Sequence, residues 1–431
     1  MELGGGDVPP LVTRYERKPI VSKEPIVSKG IHPRSGMLRT VLGLGAALAM
    51  PSAAFALTPP QPINFQVGPW TLALTGGVDG YGYTLTGTGD PGTPGLIGTK
   101  DTGMEFLNGL VQVQKSDGLL QFTLEGGSST SFSLGTKPTQ TSIQTFSTGP
   151  LYEGALTLAP TSNFSISAGH LASLEGYEST VDWNNYNLLS TSIFYVQNSQ
   201  STGVSGTYTK GPVSATLEFS DGFDTLVFNF LQAAGTYTIN DTNSVTLYGA
   251  TNLGHTSLDA HAYGSATTPW WKSTVGSYGV QYVNSSMIGG YYSYTRGNLN
   301  IVPEVQYVFA RQDDSLVVSG SPAMTGFSSN FGAAVFANYQ FGKSPYSLGG
   351  WVEYFASNGP DNWFLNPGAK GFGISLTPTW QSKYIFARGA IGWLHLTNIG
   401  DGNSPIFSGG YGSGASGHDQ ATFALETGVL F

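Results

Sequence analysis

The sequence predicts an all-β fold, a single transmembrane antiparallel β-barrel of about 16 strands, within a range of about 14 to 18. Three observations predict it. The chain has 60 glycines among 431 residues and 13% aromatic residues, whereas charged residues make up only 10%, against about a quarter in an average soluble domain. Apolar and polar residues alternate with a period of two in many windows. The last of these windows ends in an aromatic residue, Phe431.

The composition also excludes several classes of protein. A net charge of −9 repels the phosphate backbone, so we expect no nucleic-acid partner. The absence of cysteine excludes disulfide frameworks and thiolate metal sites. The aromatic content argues against a disordered chain. A mean hydropathy of −0.05 argues against a bundle of apolar membrane helices. What remains is a barrel in which half of the residues face lipid and half face water.

The N-terminal region carries a secretory signal. Residues 41–50 form an apolar run, and Ala54-Phe55-Ala56 supplies small residues on either side of an aromatic one. This pattern predicts a signal peptide over 37–56, cleaved before Leu57. The apolar run is too short to span a bilayer, which takes about 20 apolar residues.

Two further segments are defined by that signal. Residues 1–36 repeat Pro-Ile-Val-Ser-Lys at 19–23 and 25–29 and show no apolar periodicity. Because a signal peptide works from the N-terminus, we interpret 1–36 as a non-native, disordered leader, with a genuine extended n-region as the alternative. Residues 57–431 are then the predicted outer-membrane β-barrel.

The charged residues in the alternating windows share the polar face. They are Glu218, Glu304, Glu353, Arg388 and Glu426. An arginine on the lipid face at mid-bilayer would cost about 2–4 kcal/mol. The rest of the polar face is mostly Ser, Thr, Gly, Asn and Gln, which indicates a confined wet lumen more than the open face of a soluble sandwich.

Connections of two lengths alternate towards the C-terminus. Short ones lie at 342–346 and 381–383, and long ones at 311–327, 357–369 and 395–420. Bacterial barrels place short turns in the periplasm and long loops outside the cell. The final strand then ends at the periplasm.

Farther back this order becomes ambiguous. Residues 252–273 have the composition of a long loop, but short turns expected at 284–286 and 296–298 would put that loop at the periplasmic end. Either one of these two turns does not exist or the loop is periplasmic.

The chain resembles a known family over 105–230. The segments that carry the resemblance are Phe106–Gly109 with Val111 and Val113, Gly169–Ser179, and 203–225 with Asp221-Gly222-Phe223-Asp224. They are similar to the β-barrel porin-2 family of OmpL-like outer-membrane porins. The resemblance implies an outer-membrane porin. The final Phe431 likewise resembles the C-terminal signal that the assembly machinery of bacterial outer-membrane barrels recognises.

These observations predict a porin in the outer membrane of a Gram-negative bacterium, for passive diffusion of small hydrophilic solutes. Excess carboxylates in a lumen favour cations, so we expect mild cation selectivity. The connection at 175–189 is long enough to constrict the pore. The predicted pore-lining residues are Glu153, Glu175, Glu178, Glu218, Glu304, Glu353 and Arg388.

Two other hypotheses remain open. An outer-membrane hydrolase would need a converging Ser, His and acid, for which His255, Asp259 and His261 are the candidates. A plugged structural or adhesive barrel would fold without conducting. Glycine motifs at 87–92 and 412–417 are interpreted as loops, because neither joins a strand to a helix. We expect no cofactor and no metal. Expected partners are outer-membrane lipids, the assembly machinery, the solutes or ions, and two further copies in a homotrimer.

Overall fold

The computed structural model describes most of the predicted barrel region. The described residues are 57–264, 267–275, 280–313, 326–361, 363–400 and 409–431. The predicted leader (1–36) and signal peptide (37–56) lie outside them, so these boundaries remain predictions.

Strands dominate the described residues. They are β1 (Ile63–Val67), β2 (Trp70–Leu85), β3 (Thr102–Lys115), β4 (Leu120–Ser129), β5 (Phe132–Ser133), β6 (Leu151–Thr161), β7 (Phe164–Ala172), β8 (Leu189–Ser190), β9 (Gln200–Lys210), β10 (Val213–Ser220), β11 (Phe230–Asn240), β12 (Asn243–Asn252), β13 (Ser285–Arg296), β14 (Leu299–Ala310), β15 (Ser328–Gln340), β16 (Tyr346–Asn358), β17 (Lys370–Gln381), β18 (Ile385–Asn398) and β19 (Asp419–Leu430).

Among the same residues, helices are few and short. They are α1 (Thr141–Thr148), α2 (Ser192–Tyr195) and α3 (Val280–Val283), with 3₁₀ turns at Asp182–Asn184 and Trp270–Lys272. Within the part of the chain that the structure describes, no helix combines the length and apolar character needed to cross a membrane.

Sixteen of the strands form one closed antiparallel barrel, which confirms the predicted fold. The short strands β1, β5 and β8 are not part of the ring. β5 lies in the connection between β4 and β6, β8 lies in the connection between β7 and β9, and these two strands pair with each other. The ring closes between the first and last of the sixteen, where β2 pairs with β19 as well as with β3. Gly76 and Phe431 exchange two backbone hydrogen bonds of 2.9 Å at the end of this seam. No edge of the ring is therefore left unpaired.

Side chains alternate between the two faces of the wall. On β19, Thr422 and Glu426 point inward and are 2% and 3% exposed, whereas Phe423, Leu425 and Val429 point outward and are 43%, 58% and 46% exposed. Outward apolar residues recur on every long strand. This is the pattern expected of a barrel whose outer surface contacts lipid.

Connections at one rim are short and those at the other are long, as predicted. The ambiguous stretch is resolved, because the turn expected at 284–286 does not exist: β13 already begins at Ser285. β12 ends at Asn252 and β13 begins at Ser285, on the same rim where β14, β16 and β18 end. The turn expected at 296–298 is present, between β13 and β14.

The N-terminal part of the described chain is fixed to the short-turn rim. The strand β1 pairs with the first residues of β2, from Val67 with Trp70 to Ile63 with Leu74. Thr58 exchanges two hydrogen bonds of 2.7 Å with the side chain of Gln381.

Substitutions on β19 test the orientation of the wall. Leu425→Arg places a charge on the outward face near the middle of the strand, so we expect the free energy of unfolding in lipid vesicles to fall by about 2–4 kcal/mol. Val429→Arg, on the same face but near the rim, should cost about 1 kcal/mol or less. Urea-induced unfolding measures both variants. Equal decreases in the free energy of unfolding would contradict the assignment of Leu425 to the middle of the membrane and Val429 to its edge.

Candidate functional site

The connection between β7 and β9 folds into the barrel. We call residues 173–199 the inner loop. It reaches strands on the far side of the ring: the backbone N–H of Tyr177 donates to Glu304 Oε1 on β14 (3.0 Å), and Trp351 Nε1 on β16 donates to the carbonyl oxygen of Leu189 (2.8 Å). Since β16 lies opposite β7 and β9 in the strand order, the inner loop crosses the lumen. Sequence analysis predicted such an inward connection at 175–189.

Apolar contacts hold the inner loop against the wall. Ile193 and Leu189 are 1% and 0% exposed. A Cβ atom at Gly332 on β15 would lie 2.6 Å from Ile193 Cγ1, and one at Gly392 on β18 would lie 2.7 Å from Leu189 Cδ1. Both distances are shorter than real Cβ contacts, so glycine at these wall positions makes room for the loop.

Two predicted pore-lining acids are part of the inner loop and bond to its own backbone. Glu175 Oε2 accepts from the backbone N–H of Asn198 (2.7 Å). The Glu178 carboxylate accepts from the hydroxyl and the backbone N–H of Thr191. Both carboxyl groups are buried, and this burial raises the pKa of Glu175 and of Glu178. Each acid therefore ties an early residue of the loop to a late one.

Three predicted acids on the wall face the interior and are buried by other groups. Glu218, Glu304 and Glu353 are 1%, 2% and 4% exposed. Glu353 Oε2 accepts from the backbone N–H and the hydroxyl of Ser192 in the inner loop, at 2.8 and 2.6 Å. Glu218 accepts from Gln232 Nε2 (3.1 Å). Glu304 and Glu353 therefore anchor the inner loop to the wall, whereas Glu218 connects two neighbouring wall strands.

The predicted basic lumen residue is fully paired. Arg388 on β18 is 1% exposed. Its Nε donates to Glu426 Oε2 on β19 (2.6 Å), and its Nη2 bonds to the carboxylate of Asp182 in the inner loop. Its Nη1 donates to the carbonyl oxygen of Asn185 (3.0 Å). The guanidinium thus connects the wall with the loop.

Two further inward acids, on β4 and β6, are only half-buried. Glu125 and Glu153 stand directly opposite each other in the register of these strands, and both are half-buried. No ion pair of the described residues includes either of them. Sequence analysis predicted Glu153 and missed Glu125. The alternation of Leu120, Phe122 and Leu124 with the inward residues between them was the signal that could have found it.

The candidate hydrolase residues do not converge on a serine among the described residues. His255 Nδ1 bonds to Asp313 Oδ2 (2.8 Å), and Asp259 Oδ1 accepts from Ser257 (2.5 Å). His261 faces two backbone carbonyl oxygens, each 2.5 Å from a ring nitrogen. Its two nitrogens are therefore occupied by the backbone of neighbouring connections.

Phe431 completes the seam of the barrel. Besides its backbone bonds to Gly76, its ring lies where a Cβ of that glycine would be, with Cζ 2.8 Å away. The residue that sequence analysis assigned to assembly is thus also the residue that ends the closing strand.

The chain is similar to one family and to several solved structures. A family model described as "Putative beta-barrel porin-2, OmpL-like" matches residues 71–431. No curated protein sequence matches the chain.

Three solved structures share the fold at low sequence identity. The outer-membrane expressed OmpT of Vibrio cholerae matches with a TM-score of 0.52 and 11% identity, covering 86% of this chain and 100% of that chain. An anion-selective porin from Comamonas acidovorans matches with a TM-score of 0.51 and 12% identity, covering 84% of this chain and 99% of that chain. The outer membrane channel DcaP of Acinetobacter baumannii matches with a TM-score of 0.50 and 10% identity, covering 85% of this chain and 99% of that chain.

The buried acids of the inner loop predict a pH dependence. Because burial raises the pKa of Glu175 and Glu178 above the ordinary value of 4.5, the folded loop binds more protons than the unfolded chain. The stability of the loop is then greatest below that ordinary value and is lost as the pH rises through the raised pKa. Amide hydrogen exchange over 173–199, corrected for intrinsic rates, should show protection at about pH 5 that weakens by about pH 9.

The double variant Glu175→Gln with Glu178→Gln is the control, because a neutral amide cannot titrate. Its protection should depend on pH clearly less than that of the native chain over the same range. Equal pH dependence in the variant and the native chain would show that other groups are responsible.

Proposed function

The chain belongs to the β-barrel porin-2, OmpL-like family, and from this membership we propose that it lets small hydrophilic solutes diffuse passively across the membrane, with a mild preference for cations. The protein is an outer-membrane β-barrel of a Gram-negative bacterium, and outer-membrane lipids surround it. The family gives the class of function. The preference among solutes has to come from the residues that face the interior.

The observation that carries the cation preference is the pair Glu125 and Glu153. Side chains directly opposite on neighbouring strands lie about 5 Å apart at Cβ, so two carboxylates there repel each other and attract a cation between them. Both have access to solvent within the barrel and neither has an ion-pair partner among the described residues. Such a pair concentrates cations in a narrow space with walls of low dielectric constant.

The other ionisable residues that face the interior also include more acidic than basic groups. Glu218, Glu304 and Glu353 face inward, and Arg388 is neutralised by two acids. One of the similar structures is an anion-selective porin, but at 12% identity that likeness concerns the fold. The selectivity of the present chain is therefore argued from its own carboxylates.

The proposal includes no catalysis and no cofactor. The residues considered for a hydrolase, His255, Asp259 and His261, are engaged by separate partners. We further propose that Phe431 is recognised by the outer-membrane assembly machinery, since it ends the closing strand. A homotrimer is also proposed, as is common for barrels of this size, with no partner residues assigned.

A second candidate function is a barrel that stays closed. The observation in its favour is the inner loop, which crosses the lumen and buries the interior faces of β14, β15, β16 and β18. A structural or adhesive barrel would retain this arrangement permanently. In a porin, solutes would pass along the opposite wall, where Glu125 and Glu153 lie.

Single-channel recording separates these functions. The mature protein, purified from outer membranes, is inserted into a planar bilayer under a KCl gradient. Discrete open steps with a reversal potential that favours K⁺ are expected. Open steps with a reversal potential that favours Cl⁻ would support a channel but refute the cation preference. A folded, heat-modifiable protein that never conducts would refute passive diffusion and support the closed barrel.

Neutralising the proposed pair should change the selectivity. We expect Glu125→Gln with Glu153→Gln to shift the reversal potential towards zero while open steps persist, because the size of the pore hardly changes. Asp241→Asn, in an exposed turn between β11 and β12, is the control and should leave the potential nearly unchanged. Equal shifts in both variants would refute the role of the pair.

A further inference from the structure

Three carboxylates from separate parts of the chain meet inside the barrel. Asp79 lies on β2, Asp182 in the inner loop and Glu426 on β19. Each offers one oxygen atom, and the three oxygens lie within 4.8 Å of one another. The residues are only 3%, 4% and 3% exposed. Among the described residues this is the one group of three or more acidic or histidine side chains that lie close enough together to hold one ion.

The charges in this cluster do not balance. Arg388 is the cation that pairs with Asp182 and Glu426. Three carboxylates and one guanidinium leave a formal charge of −2 in a place without solvent. Uncompensated buried charge is strongly unfavourable.

One carboxylate oxygen of Glu426 has no hydrogen-bond partner among the described residues. Glu426 Oε2 bonds to Arg388 Nε at 2.6 Å, but Glu426 Oε1 is buried and receives no hydrogen bond from any described residue. The Glu426 side chain is 0% exposed. An anionic oxygen in that position is expected to have a positively charged neighbour or a donor. The missing partner is an observation separate from the grouping of the three acids.

We propose that Asp79, Asp182 and Glu426 bind one divalent cation, and that Ca²⁺ is the ion of matching chemistry. The ligands are all carboxylate oxygens, which hard cations prefer, and Ca²⁺ holds such oxygens at about 2.3–2.6 Å. Oxygens on opposite sides of one Ca²⁺ are then about 5 Å apart, in agreement with the spacing of the cluster. The two positive charges of Ca²⁺ would balance the formal charge of −2 on the cluster.

The hydrogen bonds already present are compatible with such an ion. Asn108 donates from its backbone N–H to Asp79 Oδ1 and from Nδ2 to Asp79 Oδ2, both at 2.9 Å, and its Nδ2 also contacts Asp182. A carboxylate has about four lone-pair positions, so each acid can accept these bonds and still coordinate a cation. Asn108 and Arg388 would orient the ligands from outside the coordination shell.

The ion would tie the inner loop to the seam of the barrel. Asp182 belongs to the loop, whereas Asp79 and Glu426 belong to β2 and β19, the two strands that close the ring. This role does not depend on the proposed function, because a structural cation can serve a conducting barrel or a closed one.

Terbium luminescence tests the site. Tb³⁺ replaces Ca²⁺ at oxygen sites, and Trp183, next to Asp182, is placed to transfer excitation energy to it. The mature protein is purified in detergent, freed of metal with EDTA and titrated with TbCl₃, and the Tb³⁺ is then displaced with CaCl₂. We expect saturation at one ion per chain and complete displacement by Ca²⁺. Wild-type protein without saturable, Ca²⁺-sensitive luminescence would overturn the proposal.

Matched variants identify the ligands. Glu426→Gln should weaken binding roughly tenfold or more, because it removes a charged ligand. Glu218→Gln is the control: Glu218 is also a buried inward carboxylate, but it bonds to Gln232 on the neighbouring strand and lies outside the cluster. Asp182 lies in the inner loop and not in a strand of the ring. Asp182→Asn therefore allows the same measurement of Tb³⁺ affinity if Glu426→Gln fails to fold. Equal affinities in Asp182→Asn and Glu218→Gln would overturn the proposal.

Discussion

Closure of the hydrogen-bond ladder between β2 and β19 is the constraint on which the rest of this molecule depends. In lipid, an unpaired backbone group has no water to bond with, so a spanning sheet is stable only as a ring. The two bonds between Gly76 and Phe431 complete that ring at one rim. Once the ring is closed, alternation assigns every wall residue to lipid or to the lumen.

A closed ring of sixteen strands leaves an interior that side chains alone do not fill, and the inner loop enters that space. Its backbone groups then need partners away from bulk water. The inward carboxylates of β14 and β16 provide acceptors, and Glu175 and Glu178 supply others from within the loop. The acidic interior therefore holds the inner loop in place.

The period-two alternation was enough to predict the barrel, its rims and the inward direction of Glu218, Glu304 and Arg388, because a strand has only two faces. The partners of these residues could not be predicted. Glu175 and Glu178 bond to their own loop, which depends on the three-dimensional path of 173–199. Asp79 was missed because its neighbours in the cluster come from the inner loop and from β19, at the other end of the chain.

The seam between β2 and β19 also has a consequence for the order of folding. It joins the first and the last strands of the ring, so it is the contact of greatest sequence separation in the wall, and the entropy of closing the connecting chain must be lost before it forms. Neighbouring hairpins can pair earlier. Ring closure therefore has to wait for synthesis of the final strand, and until then the edges of β2 and of the growing sheet need protection from pairing with other chains.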